Sequence, residues 1–198
     1  MKGLIKRLLR EGLDGRSEIS LDTLPDTLYH VTTNKQAVLS SGVLKAQSGL
    51  NSGGLGGTES VGVSLVTDKN VAIAIYNELN LINAANNVNS ETEVKEFFNL
   101  IDDADRREVV NSEFDRTISL HKDYAVTLMG ALQLTRNMFR FSDKPFYNIV
   151  IFNESNIKNK DIGIIEVNKN NINPDTKIID GVDKHLGEVR VLGDIKIG

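Results

Sequence analysis

Three side chains able to do chemistry sit in three short, strand-like runs far apart in the chain: His30, Ser64 and Glu188. An imidazole can hydrogen-bond or move a proton near neutral pH. A serine hydroxyl can hydrogen-bond, and a carboxylate can stabilise developing positive charge. His30 lies within Leu28-Tyr29-His30-Val31-Thr32-Thr33, Ser64 within Val61-Gly62-Val63-Ser64-Leu65-Val66, and Glu188 within Gly187-Glu188-Val189-Arg190-Val191-Leu192. Residues two apart in a strand share a face. Leu28, His30 and Thr32 therefore share one, Gly62, Ser64 and Val66 share one, and Glu188, Arg190 and Leu192 share one. Each strand can bury its plain apolar residues and present its polar one to a common cleft. Taken singly, each residue also has an ordinary role: a half-buried strand histidine, or a solvated strand-end glutamate paired with Arg190.

The elements that must position these residues follow from pattern. After Thr33 a helical run, Asn34-Lys35-Gln36-Ala37-Val38-Leu39, stops at Gly42. Gly49, Gly53, Gly54, Gly56 and Gly57 make a Gly-rich loop. It leads into a strand and lacks the lysine of a phosphate-binding loop, which favours a flexible crossing over a phosphate cradle. Asp68 is a good N-cap, and Val71, Ile75, Leu79 and Ile82 repeat at helical spacing behind it. Tyr76 lies off that stripe, and the Asn-rich stretch 83–89 ends the helix. Ser90-Glu91-Thr92-Glu93 fits a capping box before Val94, Phe97, Phe98 and Ile101. From Asp103 to about Phe141 the pattern is mostly helical, with Phe114, Ile118 and His121 on one stripe. His121 reads as core or helix surface. The expectation is a helical insertion over about 90–142, between two halves of a sheet. Phe146–Phe152, 161–167, 176–180, 187–192 and 194–197 then read as strands. Strands at this spacing, with helices earlier, predict an α+β domain with a mixed or antiparallel sheet.

Composition sets the outer limits. The 198 residues suit one domain, or one with an insertion, and 40% hydrophobic residues can build a real core. A net charge of -4 argues against a dedicated nucleic-acid binder. With no cysteine there is no disulfide framework and no thiol nucleophile. The scattered His30, His121 and His185 argue against a metal site. No apolar run approaches the ~18 residues of a membrane span, so a soluble intracellular protein is expected. Residues 1–26 read as a basic amphipathic segment, with Leu4, Ile5, Leu8 and Leu9 on one face, and a polar connector from Gly12 to Asp26. Such a helix can dock on a partner or pack on its own domain. This opening is similar to those of many small bacteriophage-encoded proteins, which would place the chain in the host cytoplasm or a virion.

The order of these motifs resembles the ADP-ribosyltransferase superfamily, in its His-initiated branch (diphtheria toxin and the poly(ADP-ribose) polymerases). The resemblance rests on His30 in the first strand and on Gly42-Val43-Leu44 after a short helix. It continues in Gly62-Val63-Ser64-Leu65-Val66 followed by a polar turn and an Ala-containing helix, and in Glu188 opening a late strand. It covers roughly 27–80 and 146–197. It implies a split sheet, 27–198 as one such domain, and NAD as co-substrate with release of nicotinamide. It further implies transfer of ADP-ribose to a macromolecular acceptor, protein or nucleic acid. By the resemblance, Glu188 would be catalytic, stabilising the oxocarbenium-like transition state as carboxylates do in glycoside hydrolysis. His30 would bind a ribose hydroxyl, and Thr32 would shape the nicotinamide pocket.

The sequence departs from the family where the second strand usually carries a tyrosine that stacks on nicotinamide. Ser64 stands there. It can hydrogen-bond but not stack, and Tyr76 is the candidate ring. Leu186 and His30 do not fit the Arg-initiated branch. Besides the transferase, two other readings stand: a non-catalytic binding or structural protein on the same fold, such as a phage particle component, and an RNA 2′-phosphotransferase-like enzyme. The 90–142 insertion or the N-terminal helix would serve a protein partner.

Overall fold

Leu28 and its β-branched neighbours form a strand, Thr27–Thr32 (β1), in the computed structural model, which describes residues 17–46, 62–139, 156–181 and 186–197. The short helix Lys35–Ser41 (α1) follows and ends at Gly42, whose φ of 64° is left-handed; its N–H bonds the Val38 carbonyl at 3.0 Å. The chain continues through Val43–Leu44 (β2), Val63–Val66 (β3), Gly163–Asn168 (β4), Ile178–Asp180 (β5), Glu188–Val191 (β6) and Ile195–Lys196 (β7). Five strands make one sheet in the order β4-β1-β3-β6-β5, while β2 and β7 pair separately; every described ladder is antiparallel. The fold is α+β, with helices and an antiparallel sheet.

The described residues divide into two compact units, one running to Ile73 and resuming at Gly163, the other Ala74–Ile162. In the first, alternation buries one sheet face: Leu28, Val63, Leu65, Ile165, Val167, Val189 and Val191 all belong to one core cluster. Each such side chain, fully removed from water, contributes roughly 1.5–3 kcal/mol. Residues 17–24, expected as polar connector, also pack here. Ile19 N–H bonds the Ile178 carbonyl at 2.9 Å, Glu18 bridges to Ile179, and Leu24 is buried. Three apolar residues, Ile19, Leu21 and Leu24, outweigh the polar average of that stretch.

The described residues of the second unit are mainly helical. Asp68 opens Lys69–Ala85 (α2) by accepting the Asn70 N–H at 2.7 Å, and the helix begins in the first unit and ends in the second. Ser90 caps Glu91–Phe98 (α3) by accepting the Glu93 N–H. In return the Glu93 carboxylate accepts the Asn89 N–H at 2.6 Å, one residue earlier than a capping box requires. Ala104–His121 (α4), capped by Asp103, ends at left-handed Lys122, and Tyr124–Phe139 (α5) follows. All three helices fall within the 90–142 insertion expected to be helical. Phe97, Ile101, Val110, Phe114, Leu128 and Leu132 form their core, and Phe97, Phe98, Phe114 and Tyr124 make a chain of ring contacts. His121 is exposed on the helix surface, as are Val126, Leu134 and Met138 along α5. No helix among the described residues is long and apolar enough to cross a membrane. The basic N-terminal helix, the Gly-rich loop and the strand expected at Phe146–Phe152 lie outside the described residues.

The apolar stripe foreseen on α2 is not quite the buried one. Ala72, Leu79, Leu81 and Ile82 are buried, Val71 and Ile75 half-buried, and Glu78 is buried at 3% exposure. Arg106 holds the Glu78 carboxylate with two parallel bonds of 2.8 Å, and Arg136 Nε lies 3.4 Å from it. Bidentate pairing is what makes a carboxylate tolerable there. Removing one partner of such a pair is costly. Glu78→Gln should therefore lower stability by about 3 kcal/mol or more, a loss that urea unfolding would register; a change within 0.5 kcal/mol would mean the pair contributes nothing net.

Candidate functional site

The site is built by register. In the β3–β6 ladder Ser64 lies opposite Arg190 and Val66 opposite Glu188. Opposed residues of an antiparallel pair project to the same side, so Ser64, Val66, Glu188 and Arg190 share a face. The core residues Val63, Leu65, Val189 and Val191 take the other. Two glycines make room. A Cβ on Gly181 would stand 2.3 Å from the Glu188 side chain, and one on Gly62 2.8 Å from the Arg190 side chain. Both are closer than real contacts allow, so each long side chain lies against bare backbone.

On this face the Ser64 hydroxyl donates to Glu188 Oε1 at 2.6 Å, a length typical of a charge-assisted bond. Arg190 donates to the same oxygen at 3.3 Å. The two charged side chains are 9% and 11% exposed, so Glu188 is an enclosed, paired carboxylate rather than a solvated strand end. Low local dielectric strengthens both bonds.

His30 joins from β1. Its Nδ1 lies 2.8 Å from the Ser64 carbonyl oxygen. That oxygen can only accept, so Nδ1 carries the proton and Nε2 keeps its lone pair in the neutral ring. Burial lowers the imidazole pKa below 6.5, and the hydrogen bond to Ser64 opposes this more weakly. The ring thus bonds a carbonyl of β3 beyond Tyr29↔Val66, the register pair described between these strands. By that register His30 starts from the face of Leu28 and Leu65, and Tyr29 from that of Ser64 and Glu188.

The residues singled out in the sequence are therefore partly brought together. Ser64 is the meeting point, binding Glu188 through its side chain and His30 through its backbone. Thr32 Oγ1 accepts the Asn34 N–H at 3.2 Å, a local turn bond at the start of α1. Tyr76 belongs to the helical unit, half-buried, with its carbonyl accepting from Asn80. Sequence reasoning gave Arg190 no role beyond pairing with Glu188. It also passed over Tyr29, Lys69 and Glu166. Lys69 Nζ lies 3.2 Å from Glu166 Oε1 and 6.0 Å from the centre of the Tyr29 ring. The signal for Tyr29 was parity: it shares a face with Glu188 once β1, β3 and β6 are known to be adjacent. The chain matches no protein-family model, no curated protein and no solved structure.

Burial of His30 carries a pH signature. An unfolded histidine near 6.5 binds protons that the folded ring resists. The unfolded state then holds more protons, and stability falls as pH drops from about 6.5 toward the lower folded value. Melting temperatures measured from pH 7.5 to 5 should decline, and His30→Gln should flatten the upper part of that decline. Parallel curves for the two proteins would show that the ring is not shielded.

Proposed function

We propose that the chain is an NAD-dependent ADP-ribosyltransferase that cleaves the nicotinamide–ribose bond and passes ADP-ribose to a macromolecular acceptor, protein or nucleic acid. The observation that carries this reading is the 2.6 Å Ser64–Glu188 bond between adjacent strands, with His30 on the backbone of the same serine. The three stretches whose order resembles the superfamily are neighbours in one sheet.

In this reading the glycosidic electron pair leaves with the nicotinamide nitrogen, which becomes neutral, and positive charge develops at the ribose carbon. Glu188, held by Ser64 and Arg190, stabilises that charge. A preorganised group of this kind is worth roughly 3–4 kcal/mol. His30 Nε2 accepts from a ribose hydroxyl. By register His30 and Glu188 start from opposite sheet faces, and this counts against one sugar bound by both. The acceptor nucleophile then attacks the ribose carbon, forming the new bond there, and releases its proton to solvent water. A protein partner would use the exposed Val126, Leu134 and Met138 of α5.

A second reading, a non-catalytic binding module, is favoured by one feature: Arg190 already neutralises the carboxylate that would face the cation. Labelled NAD with a cell lysate separates the two. Transfer of label supports the enzyme, whereas NAD binding without transfer or nicotinamide release supports the module. Glu188→Gln keeps the shape and can still accept from Ser64. Nicotinamide release should fall at least about tenfold, ~1.4 kcal/mol of transition-state stabilisation, with NAD binding little changed. An active wild type with undiminished turnover in Glu188→Gln would sink the assignment.

A further inference from the structure

We propose that the outer face of α5 is the interface of a homodimer, in which two copies of this chain cross helix against helix with Gly130 at the point of closest approach. The helix Tyr124–Phe139 has 16 residues. At the chain's 25% of charged residues it would carry four; it carries one, Arg136, and that one is buried. Val126, Gly130, Leu134 and Met138 recur every four residues, which sets them in one row along the helix. All four are exposed, the three side chains at 54%, 37% and 58%. Gln133, exposed beside Leu134, is uncharged too. The preceding helix α4 is the contrast, with Asp105, Glu108, Asp115 and Arg116 exposed. Apolar residues scattered singly on a surface are ordinary. A charge-free row of three along one helix has instead the composition of an interface core, where charges are depleted and methionine is enriched.

Gly130 points to how close the partner comes. Inside a helix, glycine is the least favourable residue after proline. Nothing within the chain offsets that cost: a Cβ at Gly130 would meet no atom within 4 Å among the described residues, and its φ is not positive. A backbone approaching from outside is what such a glycine admits. The row is also symmetric about Gly130, with an apolar residue four positions to either side. A two-fold axis through Gly130 brings Val126 of one copy beside Leu134 of the other, twice. Rows of this spacing interdigitate at a crossing angle of about −50°, with the axes about 8 Å apart where the contact residue is small. Charge decides between a second copy and a different protein. A charged partner surface would lose its water on this face and meet no counter-charge. The face of a second copy is equally neutral, and a self-matching contact is the commonest kind in soluble oligomers. The partner surface named above for α5 is thereby assigned to a second copy, independently of the NAD reading.

One helix crossing buries less than the ~1,600 Å² of a standard interface, so the dimer dissociates on dilution. Sedimentation velocity of the full chain, with no nucleotide present, from about 1 μM to about 1 mM should show monomer passing into dimer. Leu134→Glu puts an unpaired charge into the contact and should weaken association at least about tenfold. Gly130→Gln should weaken it as much. At low concentration Gly130→Gln should melt no lower than wild type, since its side chain enters open space and glutamine is the better helix former. A wild type that stays monomeric throughout the range overturns the proposal and leaves the face to a different protein. Association that survives either variant overturns it too, because the contact then lies elsewhere. A lower melting temperature in dilute Gly130→Gln would show that the glycine serves the monomer, and the proposal would fall. Where Leu134→Glu does not fold, Gly130→Gln decides. None of these outcomes touches NAD cleavage, whose assays are read separately.

Discussion

A slip of one residue between β3 and β6 would turn Ser64 and Glu188 to opposite faces and remove the hydrogen bond between them. The site therefore depends on that register, and several features fix it. Val63, Leu65, Val189 and Val191 are apolar and buried on the other face, so a slip would expose four core side chains at once. At one end Thr67 N–H bonds the Gly187 carbonyl at 3.2 Å, just outside the ladder. On the far side of β6, Gly181 N–H bonds the carbonyl of Glu188 at 2.9 Å. The same glycine leaves the space that the Glu188 side chain fills. Apolar packing specifies the register, and the polar face inherits its geometry from it.

Much of this was legible in the sequence, and the limits are physical. Strands were visible where alternation was strong, as in Leu28–Thr32 and Val63–Val66. The helices of 91–139 were visible from caps and periodicity. The pairing of Glu188 with Arg190 was visible because the two are two residues apart on one strand. Strand order was not visible, because no local property of β1 says which neighbour it takes. Without that order, His30 and Glu188 could be assigned to one cleft by alternation within each strand, whereas the register starts them from different faces. The same gap hid Tyr29, whose parity acquires meaning once Val66 is known to stand between it and Glu188.

Glu78 shows a second kind of limit. A glutamate on an apolar helix stripe reads as a surface residue, since burial of a lone carboxylate is prohibitive. Its partner Arg106 lies 28 positions later and Arg136 further still, so nothing near Glu78 announces the pairing. Each unit thus encloses a carboxylate held by guanidinium groups. In the helical unit the pair sits among α2, α4 and α5, whereas Glu188 also takes a hydroxyl on a sheet face.

Ser64 and Glu188 are 124 positions apart, and the helical unit is encoded between them. At translation speeds of 5–20 residues per second, on the order of ten seconds separate the emergence of the two. The helices α3 to α5 make local contacts and can form within that interval. Strands β1 and β3 can pair with each other, but their outer edges must wait, since β4 and β6 are still to be made. During the wait their edges are open to strand addition by other chains. Assembly of the site is thus a late event in the life of each molecule, and crowding on the ribosome during those seconds is when this fold is most exposed to aggregation.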